Sequence, residues 1–246
     1  MIPHHVVAGP QDAPALVLSN SLGTDLTMWD PQAEALAASH RLIRYDTRGH
    51  GASPTPPGPY ALADLGGDVL DLLDHLGIAK AHVAGLSLGG MTAMWLAINA
   101  PERVDRLALL CTAPQLGPES MWIERARTVR EQGTQAIVDG TLERWLTAGY
   151  RATHDTSAIR ERFVATDDEG YANCCAAIQH MDQRAGLPTI SAPTLIVAGA
   201  QDPSTPPDPA FAHAIPGARF EVLDPGAHLI NVERPDAVTA LLLEHV

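Results

Sequence analysis

The chain has 246 residues, of which 46% are hydrophobic and 18% are charged. This composition excludes a disordered or fibrous protein, and the length suffices for a large buried core. The formal net charge of −13 disfavours nucleic acid and anionic membranes as partners. The N-terminal stretch MIPHHVVAGPQDAPALVLSN has no Lys or Arg and no long apolar run, so we expect a cytoplasmic protein without a signal peptide or a membrane span.

Short apolar segments alternate with helical patterns in the first part of the chain. We predict a hairpin (residues 6–7 and 15–18, turning at Gly9-Pro10), a helix over 30–38 with Asp30 as its N-cap, a strand over 41–46, a helix over 62–76, a strand over 82–85, a helix ending at Ala100 and a strand over 104–111. Strands that are apolar on both faces and separated by helices are typical of a mostly parallel sheet.

The alternation is interrupted at Pro114 and resumes near residue 188. Between these points we predict no strand but four helices, over 119–132, 141–148, 157–165 and 169–183, which carry bulky aromatic residues. A strand over 193–198, a helix over 207–215, a strand over 219–223 and a helix over 235–246 complete the chain. We therefore predict a core of residues 1–113 and 188–246, with residues 114–187 inserted as a helical lid.

Ser87 lies in the sequence Gly85-Leu86-Ser87-Leu88-Gly89, which matches the Gly-x-Ser-x-Gly nucleophile elbow between a strand and a helix. Glycines are needed there because a Cβ two residues before or after the serine would collide with the neighbouring backbone. The free N–H groups at the start of the helix face a negative charge that forms on a substrate oxygen. We predict that Ser87 is a nucleophile and that Leu88 donates its N–H to this oxyanion.

The five-residue pattern also occurs by chance in unrelated chains. The order of the other catalytic residues along the sequence is therefore a test of it. Ligands bind at the carboxyl ends of parallel strands, and an elbow serine should be followed by an acid and then a histidine. Asp202 and His228 each follow a predicted strand in this order. We predict that His228 takes the proton of Ser87, while Asp202 holds the imidazole tautomer and balances its positive charge.

Other candidates for these roles are weaker. His50 follows a strand but precedes the serine, and the remaining rivals lie within predicted strands or helices: His82, His180, His213 and His245. Asp208 and Asp224 are alternatives to Asp202, although Asp224 is expected to be a turn residue before Gly226.

A second oxyanion donor is expected from the loop SNSLG, where the Leu22 N–H is the candidate. The sequence has no metal-binding cluster and no glycine-rich phosphate loop, so we expect neither a metal nor a cofactor. The three cysteines lack metal-binding spacing and are expected to be buried reduced thiols: Cys111, Cys174 and Cys175.

Five segments of the chain together carry a resemblance to a known protein family: SNSLGTDLTMWDPQ (19–32), RYDTRGHGAS (44–53), GLSLGGM (85–91), ERWLT (143–147) and GAHLINVERPD (226–236). Together they resemble the 3-oxoadipate enol-lactonases of aromatic catabolism, within the α/β-hydrolase superfamily. The resemblance implies an α/β-hydrolase fold, with a mostly parallel central sheet flanked by helices and a helical lid.

The resemblance also implies a small, anionic substrate, a five-membered enol lactone with a carboxymethyl arm, which Ser87 would open to 3-oxoadipate without a cofactor. It further implies that Trp145 lines the pocket. Because the protein is itself acidic, a local cation should bind the substrate carboxylate, and the candidates in the lid are Arg127, Arg130 and Arg144.

Two other functions remain open from the sequence. One is a general carboxylesterase, or a hydrolase of the same fold that cleaves a carbon–carbon bond. The other is a receptor that binds a small lactone, which an intact triad disfavours.

Overall fold

The computed structural model describes residues 1–246, and its centre is a seven-stranded sheet in the order β1-β3-β2-β4-β5-β6-β7. Strands β2 to β7 run parallel to one another, and only β1 is antiparallel to its neighbour. The mostly parallel sheet predicted from the sequence is confirmed. The strands are β1 (His5–Ala8), β2 (Ala15–Ser19), β3 (Arg41–Tyr45), β4 (Ala81–Leu86), β5 (Val104–Leu110), β6 (Thr194–Gly199) and β7 (Arg219–Leu223).

The predicted hairpin between the first two strands is wrong, because β3 lies between them. β1 pairs with β3, with His5 opposite Tyr45 and Ala8 opposite Leu42. After β1 the chain turns at Gly9, which has a φ of +82° and lies so close to the His40 carbonyl that a Cβ would be 2.1 Å from its oxygen. This close approach directs the chain past the end of the first helix instead of back along β1.

Helices cover both faces of the sheet, and alternate residues of each strand point to opposite faces. Leu16 and Leu18 belong to one apolar cluster, whereas Val17 between them belongs to the other. The helices outside the segment between β5 and β6 are α1 (Asp30–Ala37), α2 (Leu62–His75), α3 (Leu88–Asn99), α9 (Pro209–His213), α10 (Ile230–Glu233) and α11 (Pro235–His245). Residues of α2, α3 and α9 contribute to the second cluster, and residues of α1 and α11 to the first.

Asp30 does not cap α1, contrary to the prediction. A 3₁₀ turn, Leu26–Trp29, leads directly into the helix, so that Asp30 is already its first helical residue. Its carboxylate instead forms an ion pair with Arg44 on β3. The capping carboxylate in this segment is that of Asp25, which accepts the Thr27 N–H at the start of the 3₁₀ turn.

Five helices lie between β5 and β6: α4 (Glu119–Gln132), α5 (Val138–Trp145), α6 (Ala148–Thr153), α7 (Ser157–Val164) and α8 (Asp168–Gln179). The bounds predicted for α4 are confirmed. The predicted helix over 141–148 is instead broken at Leu146, which adopts an extended conformation, and Thr147 then caps α6 through its side chain. None of the helices is long and apolar enough to cross a lipid bilayer.

Two adjacent glycines in α2 provide a test of the helix packing. Gly66 lies against the Trp95 ring of α3, where an added Cβ would be 2.0 Å from a ring carbon, whereas no atom lies within 4 Å of a Cβ at Gly67. We expect Gly67→Ala to raise the free energy of unfolding by about 0.5–1 kcal/mol through helix propensity. Gly66→Ala should lower it by about 1–3 kcal/mol through overpacking.

Urea unfolding of the two variants beside the unchanged protein measures both effects. Equal stabilisation by the two substitutions would contradict the close packing of α2 on α3.

Candidate active site

Ser87 lies in a strained turn between β4 and α3. Its φ of 56° and ψ of −115° are unusual for a residue with a side chain. The two glycines of the motif permit this turn, because a Cβ on Gly85 would lie 2.2 Å from the Gly89 carbonyl oxygen and a Cβ on Gly89 would lie 2.1 Å from the Ser19 carbonyl oxygen. The Thr112 hydroxyl also donates to the Ser87 carbonyl at 2.8 Å.

His228 and Asp202 form a buried pair at the ends of the last two strands. The distance between the His228 Nδ1 and the Asp202 Oδ2 is 2.8 Å. The Thr205 hydroxyl donates to the same carboxylate oxygen at 2.6 Å, and the Ser204 N–H donates to Oδ1 at 2.8 Å. Burial alone would raise the pKa of Asp202, but the charge of His228 and these hydrogen bonds lower it below its ordinary value.

Ser87 and His228 line one cavity of about 410 Å³. Since Nδ1 of His228 is engaged by Asp202, its Nε2 is the ring atom left for a proton from a nucleophile. The Ser87 hydroxyl makes no hydrogen bond to His228 in this conformation, a looseness that catalytic pairs often show before a substrate binds. The three predicted residues therefore meet at one place, with Asp202 and His228 already bonded.

The backbone N–H groups of Leu22 and Leu88 lie at this site as well. Leu22 lines the cavity, and its N–H has no backbone acceptor, although the neighbouring N–H groups of Ser21 and Gly23 are both bonded to side chains. Leu88 is the first residue of α3, so its N–H has no partner within the helix. The arrangement leaves two donors free next to the serine.

Two arginines on the helices between β5 and β6 line the same cavity and have no carboxylate partner. Arg125 on α4 donates to the Tyr171 hydroxyl at 2.7 Å and to the Thr141 hydroxyl at 2.8 Å. Arg144 on α5 also lies within reach of Thr141, and burial together with the charge of Arg125 lowers its pKa. The cavity is lined by Ser21, Leu22, Ser87, Leu116, Gly117, Met121, Trp122, Arg125, Arg144, Trp145, Tyr171, Ile178, Pro203, Ser204 and His228.

Comparison with known proteins identifies the family. A sequence profile described as the alpha/beta hydrolase fold matches residues 14–135. The chain is 44% identical over 240 residues to 3-oxoadipate enol-lactonase 2 of Acinetobacter baylyi, an alignment that covers 95% of this chain and 89% of that protein. The chain belongs to the 3-oxoadipate enol-lactonase family of α/β hydrolases.

Solved structures agree with this assignment. The enol-lactonase from Burkholderia xenovorans LB400 superposes with a TM-score of 0.96 at 44% identity, covering 98% of this chain and 95% of that one. A thermophilic esterase from Thermogutta terrifontis superposes with a TM-score of 0.93 at 29% identity, covering 98% and 91% of the two chains. The family resemblance and the α/β-hydrolase fold expected from the sequence are confirmed, and the protein is a hydrolase that acts on ester bonds.

Within this family member, the rival histidines lie elsewhere. His82 contacts the His40 ring, the His245 Nε2 donates to the Leu107 carbonyl at 3.0 Å, and His180 and His213 are exposed. His50 is buried behind the loop that contains Leu22, and its Nε2 accepts the N–H of Gly23 at 2.9 Å.

The other candidate carboxylates, Asp208 and Asp224, do not line the cavity. Asp208 caps α9 by accepting the Ala210 N–H at 2.9 Å. Asp224 is exposed in the turn that follows β7, as the sequence predicted for a turn residue.

Of the three predicted arginines, the structure brings only Arg144 to the cavity. Arg127 is exposed and paired with Glu124 and Glu131 on its own helix, and Arg130 is exposed and paired with Glu169. The sequence analysis missed Arg125, although a signal was present. Arg125 is three residues beyond Trp122 and therefore about 60° from it around α4, whereas Arg127 is about 140° away.

Trp145, the last residue of α5, lines the cavity and also packs against α7. Its ring makes an edge-to-face contact with Phe163 at 5.4 Å between centroids, and its carbonyl accepts the N–H of Leu229, the residue after the histidine. The end of α5 is therefore joined directly to the loop that carries His228.

Glu233 was not predicted, and it joins the same two segments. Its carboxylate accepts the Thr147 N–H at 2.7 Å and the Ala227 N–H at 2.5 Å. Its position in the segment GAHLINVERPD, five residues after the histidine, was the available signal.

All three cysteines are buried and unpaired: Cys111, Cys174 and Cys175. Burial raises the pKa of each thiol above its ordinary value. A high thiol pKa disfavours the reactive thiolate, so these side chains are packing residues.

Replacement of Thr205 tests whether its hydroxyl stabilises the ionised carboxylate of Asp202. Thr205→Val keeps the shape of the side chain but removes the hydroxyl that donates to Asp202. Hydrogen bonds to charged groups contribute about 1.5–3 kcal/mol, so we expect a loss of stability of about that size at pH 7. We also expect kcat/KM for an aryl ester to fall about tenfold, as for a change of about 1.4 kcal/mol, with Thr205→Ser as the control that keeps the hydroxyl.

The effect of Thr205→Val on stability should decrease as the pH falls. The pKa of Asp202 is lowered by folding, so its contribution to stability is present above its ordinary pKa and is lost as the pH falls through its folded-state pKa. The difference in stability between Thr205→Val and the unchanged protein should therefore shrink in acid, as measured by urea unfolding at several pH values. A difference that is absent at pH 7 would contradict the prediction.

Proposed function

We propose that the protein hydrolyses 3-oxoadipate enol-lactone to 3-oxoadipate through a covalent acyl-enzyme on Ser87. The observation that carries the proposal is one cavity that holds Ser87, His228 and the two unpaired guanidinium groups of Arg125 and Arg144. It combines a site for acyl transfer with a site for a carboxylate. The relatives named for this reaction, at 44% identity over most of the chain, support the same substrate.

In the proposed first step, the Ser87 hydroxyl attacks the lactone carbonyl while the His228 Nε2 takes its proton. Asp202 stabilises the imidazolium through the bond to Nδ1. The free N–H groups of Leu22 and Leu88 donate to the oxyanion, a contribution that typically amounts to a factor of about 10²–10³ per donor. The ring C–O bond then breaks, and the imidazolium returns a proton to the enol oxygen that leaves.

In the second step, His228 activates a water molecule that attacks the acyl-enzyme. The same N–H groups hold the second oxyanion, and Ser87 recovers its proton when the ester bond breaks. The released enol tautomerises to the ketone, so the reaction consumes only water. No electron transfer occurs in either step, and the residues of the cavity suffice for all the proton transfers.

The lid, residues 114–187, supplies the proposed carboxylate site. Charges that leave water need a partner, and neither Arg125 nor Arg144 forms an ion pair with an Asp or Glu of the chain. A substrate carboxymethyl arm would fill this position. Trp145 and Trp122 would then contact the apolar part of the lactone, since both rings line the same cavity.

A simple carboxylesterase is the second candidate, because the Thermogutta terrifontis esterase has the same fold at a TM-score of 0.93. The comparison of enol-lactone with a neutral aryl acetate discriminates the two. A kcat/KM for the aryl ester that exceeds that for the lactone by orders of magnitude would contradict the lactonase proposal.

Removal of the nucleophile is the first test of the mechanism. Ser87→Ala should leave the fold unchanged, because the strained turn depends on Gly85 and Gly89. We expect kcat to fall at least about a thousandfold, as for other hydrolases that lose the nucleophile. Electrospray mass spectrometry of the quenched unchanged enzyme should detect a mass increase at Ser87 that is absent in the variant. Near-normal turnover by Ser87→Ala would exclude the acyl-enzyme.

Replacement of the arginines tests recognition of the carboxylate. Arg144→Gln and Arg125→Gln should each reduce kcat/KM for the enol-lactone about 10–100-fold, because each removes a charge-assisted hydrogen bond of about 1.5–3 kcal/mol. Turnover of a neutral aryl acetate should change less than about threefold in the same variants, since its transition state carries no carboxylate.

Arg127→Gln is the matched control, because Arg127 is exposed on the same helix as Arg125 and is paired with glutamates. A uniform loss on both substrates would assign the two cavity arginines to folding and would contradict a carboxylate site.

A further inference from the structure

His50 is a buried histidine that the proposed reaction does not use. Only 1% of its surface is exposed, and it lies in the loop after β3, away from the cavity lining. Its Nε2 nevertheless accepts the N–H of Gly23, the residue that follows the proposed oxyanion donor Leu22. A side chain outside the cavity is thus bonded to the loop that forms one wall of it.

The loop is a tight turn from Ser21 to Thr24. The Thr24 N–H donates to the Ser21 carbonyl at 3.2 Å, and the Thr24 hydroxyl donates to the same oxygen at 2.7 Å. Gly23 has a φ of +80°, which is the conformation that a type II turn requires at its third position. The Leu22 N–H belongs to the same peptide as the Ser21 carbonyl, so the bonds from Thr24 set its direction, and the bond from the Gly23 N–H to His50 holds the next peptide of the turn.

The lid blocks the other side of this turn. A Cβ on Gly23 would lie 2.6 Å from the Phe163 ring and 3.1 Å from the Tyr171 ring. The His50 ring is itself 6.4 Å from the Tyr171 ring between centroids. The turn is therefore held between the acceptor on His50 and the aromatic side chains of α7 and α8.

The hydrogen bonds define the tautomer of His50. Nε2 must be unprotonated to accept the Gly23 N–H, so Nδ1 carries the proton and donates to the Arg48 carbonyl at 3.2 Å. Burial lowers the pKa of His50, although the Arg48 carbonyl and the nearby carboxylate of Asp46 act in the opposite direction. A neutral ring is the form that can hold the turn.

We propose that His50 is a positioning residue of the oxyanion hole, whose Nε2 fixes the turn at Gly23 and thereby holds the Leu22 N–H toward the oxyanion. The proposal rests on the acyl transfer at Ser87 proposed above. It does not depend on the lactone as substrate, because the oxyanion of any ester would use the same donor. A preformed donor stabilises the transition state more than the bound substrate. Loss of His50 should therefore lower kcat and leave KM nearly unchanged.

The test compares His50→Leu, which removes the acceptor, with His50→Gln, whose side-chain oxygen can replace Nε2. On both a neutral aryl acetate and the enol-lactone, we expect His50→Leu to lower kcat by about 30–300-fold, near the loss of one oxyanion donor. KM should change less than about threefold, and His50→Gln should recover most of the lost rate. His82→Leu, another buried histidine replaced at the far end of β4, is the control for a general loss of packing.

A second measurement separates the transition state from the ground state. A boronic acid that adds to Ser87 mimics the tetrahedral oxyanion, whereas 3-oxoadipate mimics the bound product. His50→Leu should weaken inhibition by the boronic acid by the same factor as kcat/KM and should leave the inhibition constant of 3-oxoadipate within about threefold, as expected for a donor that acts on the oxyanion. A merely structural role would weaken both ligands alike.

The unchanged protein provides a test that does not depend on the folding of a variant. Nitrogen-15 NMR of the histidine side chains at pH 7 should assign His50 as neutral, with the proton on Nδ1. A proton on Nε2, an unaltered kcat in a folded His50→Leu, or equal losses in the Leu and Gln variants would each overturn the proposal. A failure of the proposed function is recognised separately, since it would appear as normal turnover by Ser87→Ala or as absent turnover of the lactone.

Discussion

The close backbone approach at the elbow is the constraint on which the rest of the site depends. The strained turn at Ser87 is possible because Gly85 and Gly89 have no Cβ, which would lie within 2.2 Å of a backbone carbonyl oxygen at either position. This approach fixes the start of α3 against the loop after β2, so that the Leu88 and Leu22 N–H groups belong to neighbouring segments. The sheet supplies the rigidity, since β4 is buried along its whole length between two parallel partners.

Around this fixed point, the remaining groups come from loops that the lid holds in position. The Trp145 carbonyl and Glu233 connect the end of α5 to the loop that carries His228. Phe163 and Tyr171 pack on the turn at Gly23. The helices between β5 and β6 therefore contact both halves of the proposed catalytic machinery and also contribute Arg125 and Arg144. In the proposed mechanism, this one segment would connect substrate recognition to the alignment of the reacting groups.

The cavity carries positive charge, whereas the chain as a whole is negatively charged. A net charge of −13 repels an anionic substrate at long range, yet the cavity itself has two guanidinium groups and no unpaired carboxylate, because Asp202 is buried against His228. Interactions inside a cavity are screened less than those at the surface, so the local charge dominates once a ligand has entered. Binding at this site depends on short-range contacts more than on attraction from solution.

The sequence by itself determined the strands, most of the helices and the order of Ser87, Asp202 and His228 along the chain. Local patterns specify strands, helices and the Gly-x-Ser-x-Gly turn, and the spacing of Asp202 and His228 after strand ends follows from a parallel sheet. It could not determine that β3 lies between β1 and β2, because pairing depends on contacts between distant segments. The contacts of Arg125, Glu233 and His50 were likewise decided by tertiary structure, since a side chain acquires its partner only when distant segments pack together.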